Sequence, residues 1–147
     1  MKSRFLCGPH RLELSRRPER AIVCWQNSTD TAQHLCDQKR YKEALPYLGS
    51  AFESAEIIMT IKAVESIEAY EAFATSAVLL AGNFARLDYT TESMNIYWMV
   101  IHRLERELTI NGTNKNWVLQ YLEFFYGSVQ NPDFTGSTTN TFQNAIH

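Results

Sequence analysis

Apolar side chains recur at three- and four-residue spacings along most of this chain, the period of a helix buried along one stripe. Ala21, Ile22, Trp25, Ala32, Leu35 and Cys36 share such a stripe, which the polar run Asn27-Ser28-Thr29-Asp30 interrupts. The interruption predicts a short helix at about 18–26 and a firmer one at about 29–38, capped by Ser28 or Thr29. Pro18 suits a first helical turn, with Glu19 favourable beside that N-terminus. Tyr41, Ala44, Leu45, Leu48, Ala51 and Phe52 predict the next helix. Pro46 must sit in its first turn or so, where a missing N–H costs little.

From Ala51 to Leu87 there is neither Pro nor a turn dipeptide, only Gly82. One helix of that length is out of proportion to the ~10–14 residue norm. The chain is therefore expected to fold back within about 58–67, where Ile57, Ile58, Thr60, Ile61 and Val64 weaken helix propensity. Ala69, Tyr70, Phe73, Ala77, Leu80, Ala81 and Phe84 predict a helix at about 67–86. Asp88-Tyr89-Thr90 reads as a short connection, with Thr90 or Thr91 capping the helix that follows. Met94, Ile96, Tyr97, Trp98, Met99, Val100, Ile101, Leu104 and Leu108 occupy more than one face of that helix and predict packing on two sides. Asn111-Gly112 reads as its end; Asn114 opens a last helix through Tyr126, and Gly127 closes it.

No period-two run competes with these helices. The expected fold class is all-α, about five helices joined by short connections. Residues 1–17 read as a basic flexible arm and 18–127 as the helical domain. Residues 128–147 are dominated by Ser, Thr, Asn, Gln and Gly, with Asp133 as the only charge. They read as a polar flexible tail carrying Phe134 and Phe142 as isolated apolar side chains.

The run Lys39-Arg40-Tyr41-Lys42-Glu43-Ala44-Leu45, followed by Leu48, Ala51 and Phe52, resembles the second half of a tetratricopeptide repeat. Ala32 and Leu35 stand where that repeat's first helix places its small and bulky packing residues. A more degenerate copy follows: Ala77, Leu80, Ala81 and Phe84, then Asp88 at the turn, then Ser93, Tyr97, Val100 and Ile101. Ala44 and Ser93 correspond, a spacing of 49 residues against the ~34 of a regular repeat. The excess falls at about 56–71, and the helix at 114–126 would close the stack. The resemblance covers roughly 28–126 and implies right-handed stacking of helical hairpins. Some members of that family grip a peptide's terminal carboxylate with Lys and Asn side chains on the first helices. The matching positions carry Thr29, Gln33, Val78 and Gly82, none of them basic, so that clamp is not expected.

At 147 residues the chain is one domain's worth. Apolar residues at 45% and charged residues at 20% are ordinary for a globular protein. No stretch nears the ~18 apolar residues of a spanning helix, and no membrane role is expected. A net charge of −2 argues against a dedicated nucleic-acid binder. That charge divides into +4 over residues 1–20 and −6 over the rest. A basic arm on an acidic body could touch nucleic acid, anionic lipid or the body itself, but more simply stays solvated. The apolar run Phe5-Leu6-Cys7 is too short for a secretory signal. Three cysteines, Cys7, Cys24 and Cys36, make no disulfide framework. A reducing cytoplasmic location is the expectation, with Cys24 and Cys36 as small apolar core residues.

Chemistry-bearing residues are sparse. Cys7-x-x-His10 and His34-x-Cys36 lack the spacing of a zinc site. Glu65, Glu68 and Glu71 share a helix face and read as a solvated stripe. Glu105 and Glu107 do not converge, and His102 has no nucleophile or acid partner near it in sequence. No catalytic, cofactor or metal residue is assigned, and no small-molecule substrate is evident. In the closing helix, Trp117, Val118, Tyr121, Leu122 and Phe125 form one face, while Leu119, Phe124 and Tyr126 lie outside it. That excess points to a partner, and Trp117, Tyr121, Phe124 and Phe125 are the candidate contact residues. The expected function is a non-enzymatic module, an adaptor, regulator or small chaperone, binding a protein or peptide or a second copy of the chain. Alternatives are a bacterial secretion or flagellar-export type chaperone, and a small all-α enzyme or metal protein.

Overall fold

A computed structural model describes residues 5–110 and 115–130. They form six helices: α1 (Gly8–Arg16), α2 (Pro18–Asp37), α3 (Tyr41–Ile61), α4 (Ser66–Arg86), α5 (Thr90–Glu107) and α6 (Lys115–Gln130). No strand occurs among the described residues, so the protein is all-α. Two compact units divide the chain, one up to Ser76 and one from Ala77, with the division inside α4.

The first unit rests on the α2/α3 hairpin. Ala32 and Ala44 are fully buried, which lets the two backbones approach, and Leu35, Leu48, Ala51 and Phe52 fill the seam. The Phe52 ring stacks on Phe73 of α4 at 5.3 Å. Trp25 Nε1 donates to Ser76 Oγ at 2.9 Å, so the half-buried indole is satisfied at its polar edge.

The second unit is built from the C-terminal half of α4 with α5 and α6. Ala77, Leu80 and Ala81 of α4 are fully buried, as are Ile96, Tyr97, Val100 and Leu104 of α5. Tyr97 meets Phe125 of α6 at 5.8 Å. Arg103 Nη1 donates to Glu107 Oε1 at 2.6 Å, both side chains being less than a tenth exposed.

The turn closing α2 and the turn closing α4 are built alike. Lys39 and Asp88 each take a left-handed backbone, φ 60° and 64°. Arg40 N–H reaches back to the Leu35 carbonyl at 2.9 Å, and Tyr89 N–H to the Phe84 carbonyl at 2.8 Å. Lys39 N–H bonds the Cys36 carbonyl, and Asp88 N–H the Ala85 carbonyl. Each is a Schellman ending that satisfies carbonyls the helix leaves open. Arg40 and Tyr89 then open the next helices with nearly the same dihedrals, φ −94°, ψ 62° and φ −90°, ψ 67°.

Four expectations are corrected. Residues 5–16 are not a bare arm: they form α1 and the strand of chain before it, with Leu6 and Leu14 buried. The helices expected at 18–26 and 29–38 are one, α2, which runs through the polar positions without a break, Thr29 Oγ1 donating to the Trp25 carbonyl at 2.7 Å. Pro46 sits beyond the first turn of α3; it and Lys42, whose carbonyl loses the bond, are both exposed to water. Gly127 does not end α6, which continues to Gln130 and buries Ser128. The tail from 131 on, with Phe134 and Phe142, and the Asn111-Gly112 and Asn114 signals lie outside the described residues.

Candidate functional site

Helix α6 buries Val118, Tyr121, Leu122 and Phe125 along one stripe. Tyr121 and Phe125 are fully buried, so these two candidates belong to the core of the second unit and offer no contact surface. Trp117 and Phe124, seven residues apart, are half-buried along one border of that stripe. The Phe124 ring stands edge-on to Phe125 at 5.2 Å, and Trp117 tilts against Tyr121 at 6.3 Å. Each half-exposed ring thus rests on a fixed, buried one. On the opposite border Leu119 is 52% exposed, and Tyr126 is half-buried.

Helix α5 adds a surface that periodicity did not single out. Trp98, His102 and Glu105 fall at i, i+4 and i+7 and so share a face. Trp98 is 42% exposed and stacks on the His102 ring at 6.0 Å. His102 Nδ1 lies 3.5 Å from Glu105 Oε1. Tyr126 of α6 donates its hydroxyl to Glu105 Oε2. That hydrogen bond, more than burial, holds the Tyr126 pKa above its ordinary value. The signal for Trp98 was present in sequence as an apolar residue too many for one face of α5, but its exposure was not legible there.

The 49-residue register relates this face to one in the first unit. Trp98, His102 and Glu105 stand where Gly49, Glu53 and Glu56 stand on α3. On α3 that face is covered. Glu53, only 5% exposed, accepts the Phe5 N–H at 2.6 Å, the Leu6 N–H at 3.2 Å and the Arg11 guanidinium at 2.6 Å.

Elsewhere little converges. Among the described residues no group of three or more His, Cys, Asp or Glu could hold a metal ion. Cys24 is half-buried, accepting the Ser54 hydroxyl at 3.1 Å; Cys36 is half-buried and Cys7 exposed. Glu65 and Glu68 are exposed. A cavity of about 420 Å³ lies between α1 and α2, floored by Leu14, Val23 and Cys24, with the Arg20–Glu13 ion pair at its side. No helix among the described residues is long and apolar enough to cross a membrane. No family model, curated protein or solved structure matches the chain.

Proposed function

We propose that the protein is a non-enzymatic interaction module of tetratricopeptide-like design, binding a polypeptide through the α5/α6 surface. The observation that carries this reading is the repeated hairpin. Two turns of the same construction, 49 residues apart, are each followed by a small residue at the close helix contact, Ala44 in one and Ser93 in the other. Repeated hairpins cannot bury their faces alone and typically serve as binding scaffolds. The repeat also leaves the α5 face with an exposed Trp98 where α3 is covered, and large aromatic side chains favour interface centres.

The contact set is refined accordingly. Trp98 and Leu119 are the exposed anchors, and Trp117 and Phe124 contribute from the other border of α6. Tyr121 and Phe125 hold those rings in place from beneath. The partner is a protein or peptide presenting apolar side chains; a cytoplasmic setting fits three cysteines that form no disulfide.

A photo-crosslinking amino acid placed at position 98, 119 or 124 in turn tests this in the cell of origin. The expected result is a discrete protein adduct at one or more positions, lost when Trp98→Ala or Phe124→Ser is introduced beside it. Absence of adducts at all three positions, in chains that keep their helical circular dichroism, would overturn the reading.

A further inference from the structure

The covered face of α3 has the features of a seat for a segment. Gly49 is buried in α3, and the Phe5 ring occupies the space that a β-carbon there would need. The three atoms nearest to such a carbon all belong to Phe5, so the absence of a side chain makes room for that ring. One turn further on, Glu53 takes two successive main-chain N–H groups, from Phe5 and Leu6, and the Arg11 guanidinium. Arg11 also reaches Glu56, at 3.6 Å. Leu6 and Leu14 of the same segment are buried. The seat therefore reads an aromatic-aliphatic pair with free N–H groups, followed after one helical turn by an arginine.

Beyond the seat, the segment is tied to α2 by the exposed Arg20–Glu13 ion pair. Among residues 8–16 only Leu14 is buried. A nine-residue helix is short of independent stability. Ordering it costs backbone entropy that few apolar contacts offset, so it belongs to the low-stability end of the structure. It joins α2 through Arg17 alone, ahead of Pro18, which has no N–H to continue a helix across the junction.

We propose that residues 5–16 form a detachable clasp, and that the Gly49/Glu53 seat accepts the same residues from a second copy of the chain, giving a dimer by segment exchange. The occupant is argued from complementarity already in the structure: the chemistry that the seat selects is that of this chain's own Phe5, Leu6 and Arg11, which every copy carries. In the single chain the clasp closes on its own seat at high effective concentration, so exchange requires that intramolecular closure be prevented. The inference stands apart from the α5/α6 reading and does not depend on it.

Complementing full-length variants test it. Gly49→Ala blocks the seat and keeps the clasp, while raising helix propensity in α3. Phe5→Ala/Leu6→Ala/Arg11→Ala disables the clasp and keeps the seat. Each is labelled with a different fluorophore and followed by sedimentation and energy transfer. Neither alone should associate; the equimolar mixture should form heterodimer at roughly tenfold or more above either alone. Adding Glu53→Gln to the clasp-disabled chain should reduce that association several-fold. Amide exchange on the unaltered chain supplies the second readout: residues 8–16 should open well before the α2/α3 core. The proposal is overturned if the mixture associates no more than its folded components, if the clasp-disabled chain unfolds, or if residues 8–16 exchange only with global unfolding.

Discussion

Ser93 Oγ donates to the Ala81 carbonyl at 2.8 Å, joining α5 to α4 where both side chains are small enough for the backbones to meet. Ala81 is fully buried and Ser93 nearly so. Ala81→Leu should overpack this contact and lower stability by roughly 1–3 kcal/mol. Ser93→Ala, which removes only the hydroxyl, should cost about 0.5–1.5 kcal/mol. Denaturant unfolding monitored by circular dichroism distinguishes the two; an Ala81→Leu chain as stable as the parent would count against close helix approach at this point.

A charged pair inside the second unit makes a sharper case. Arg103 and Glu107 meet at 2.6 Å with almost no exposure. Glu107→Ala withdraws the partner charge from a buried guanidinium and should destabilise by about 3–5 kcal/mol, whereas Arg103→Met/Glu107→Leu should be near neutral or stabilising. A double-mutant cycle read by urea midpoints checks the contrast.

Tyr126 sets a pH dependence. Its pKa is raised above the usual 10.0, chiefly by the hydrogen bond it donates to Glu105. A raised value means that the folded chain holds the phenolic proton longer than the unfolded chain does. The contribution is complete below pH ~10 and is lost as pH climbs through the higher folded-state value. Tyrosinate absorbance should therefore lose a late-titrating component in Tyr126→Phe, and that component should move earlier in Glu105→Gln.

Gly127 lies in the helical body of α6, exposed, with nothing within 4 Å of where a β-carbon would stand. Gly127→Ala should raise stability by about 0.5–1 kcal/mol through helix propensity alone. A thermal melt on the two chains measures it.

What could be read in the sequence depended on range. The fold-back between α3 and α4 and the α2/α3 and α4/α5 hairpins announced themselves through local periodicity and propensity, and the structure places α4 at Ser66–Arg86 against an expectation of about 67–86. Helix α1 carried no such signal. Its anchor is remote, Glu53 lying 42 residues from Arg11, and a glycine that serves as a ring's seat looks like any other glycine in a one-dimensional reading. The same holds for the candidate surface. An excess of apolar residues on α6 was countable, yet which of them turn inward depended on the rings of α5: Tyr121 and Phe125 pack inside while Trp98 stands out. Gly127 and the Asn27–Asp30 run misled for the opposite reason, since a locally strong stop signal yields when packing supports continued helix.

The hydrogen bonds from Phe5 and Leu6 to Glu53 link positions 48 and 47 residues apart, and this fixes an order of events during synthesis. Residues 5–11 are synthesised before their carboxylate partner, and the seat exists only once α3 itself has formed. This stretch, although made first, therefore reaches its final place only after α3, which follows it in the chain, has formed.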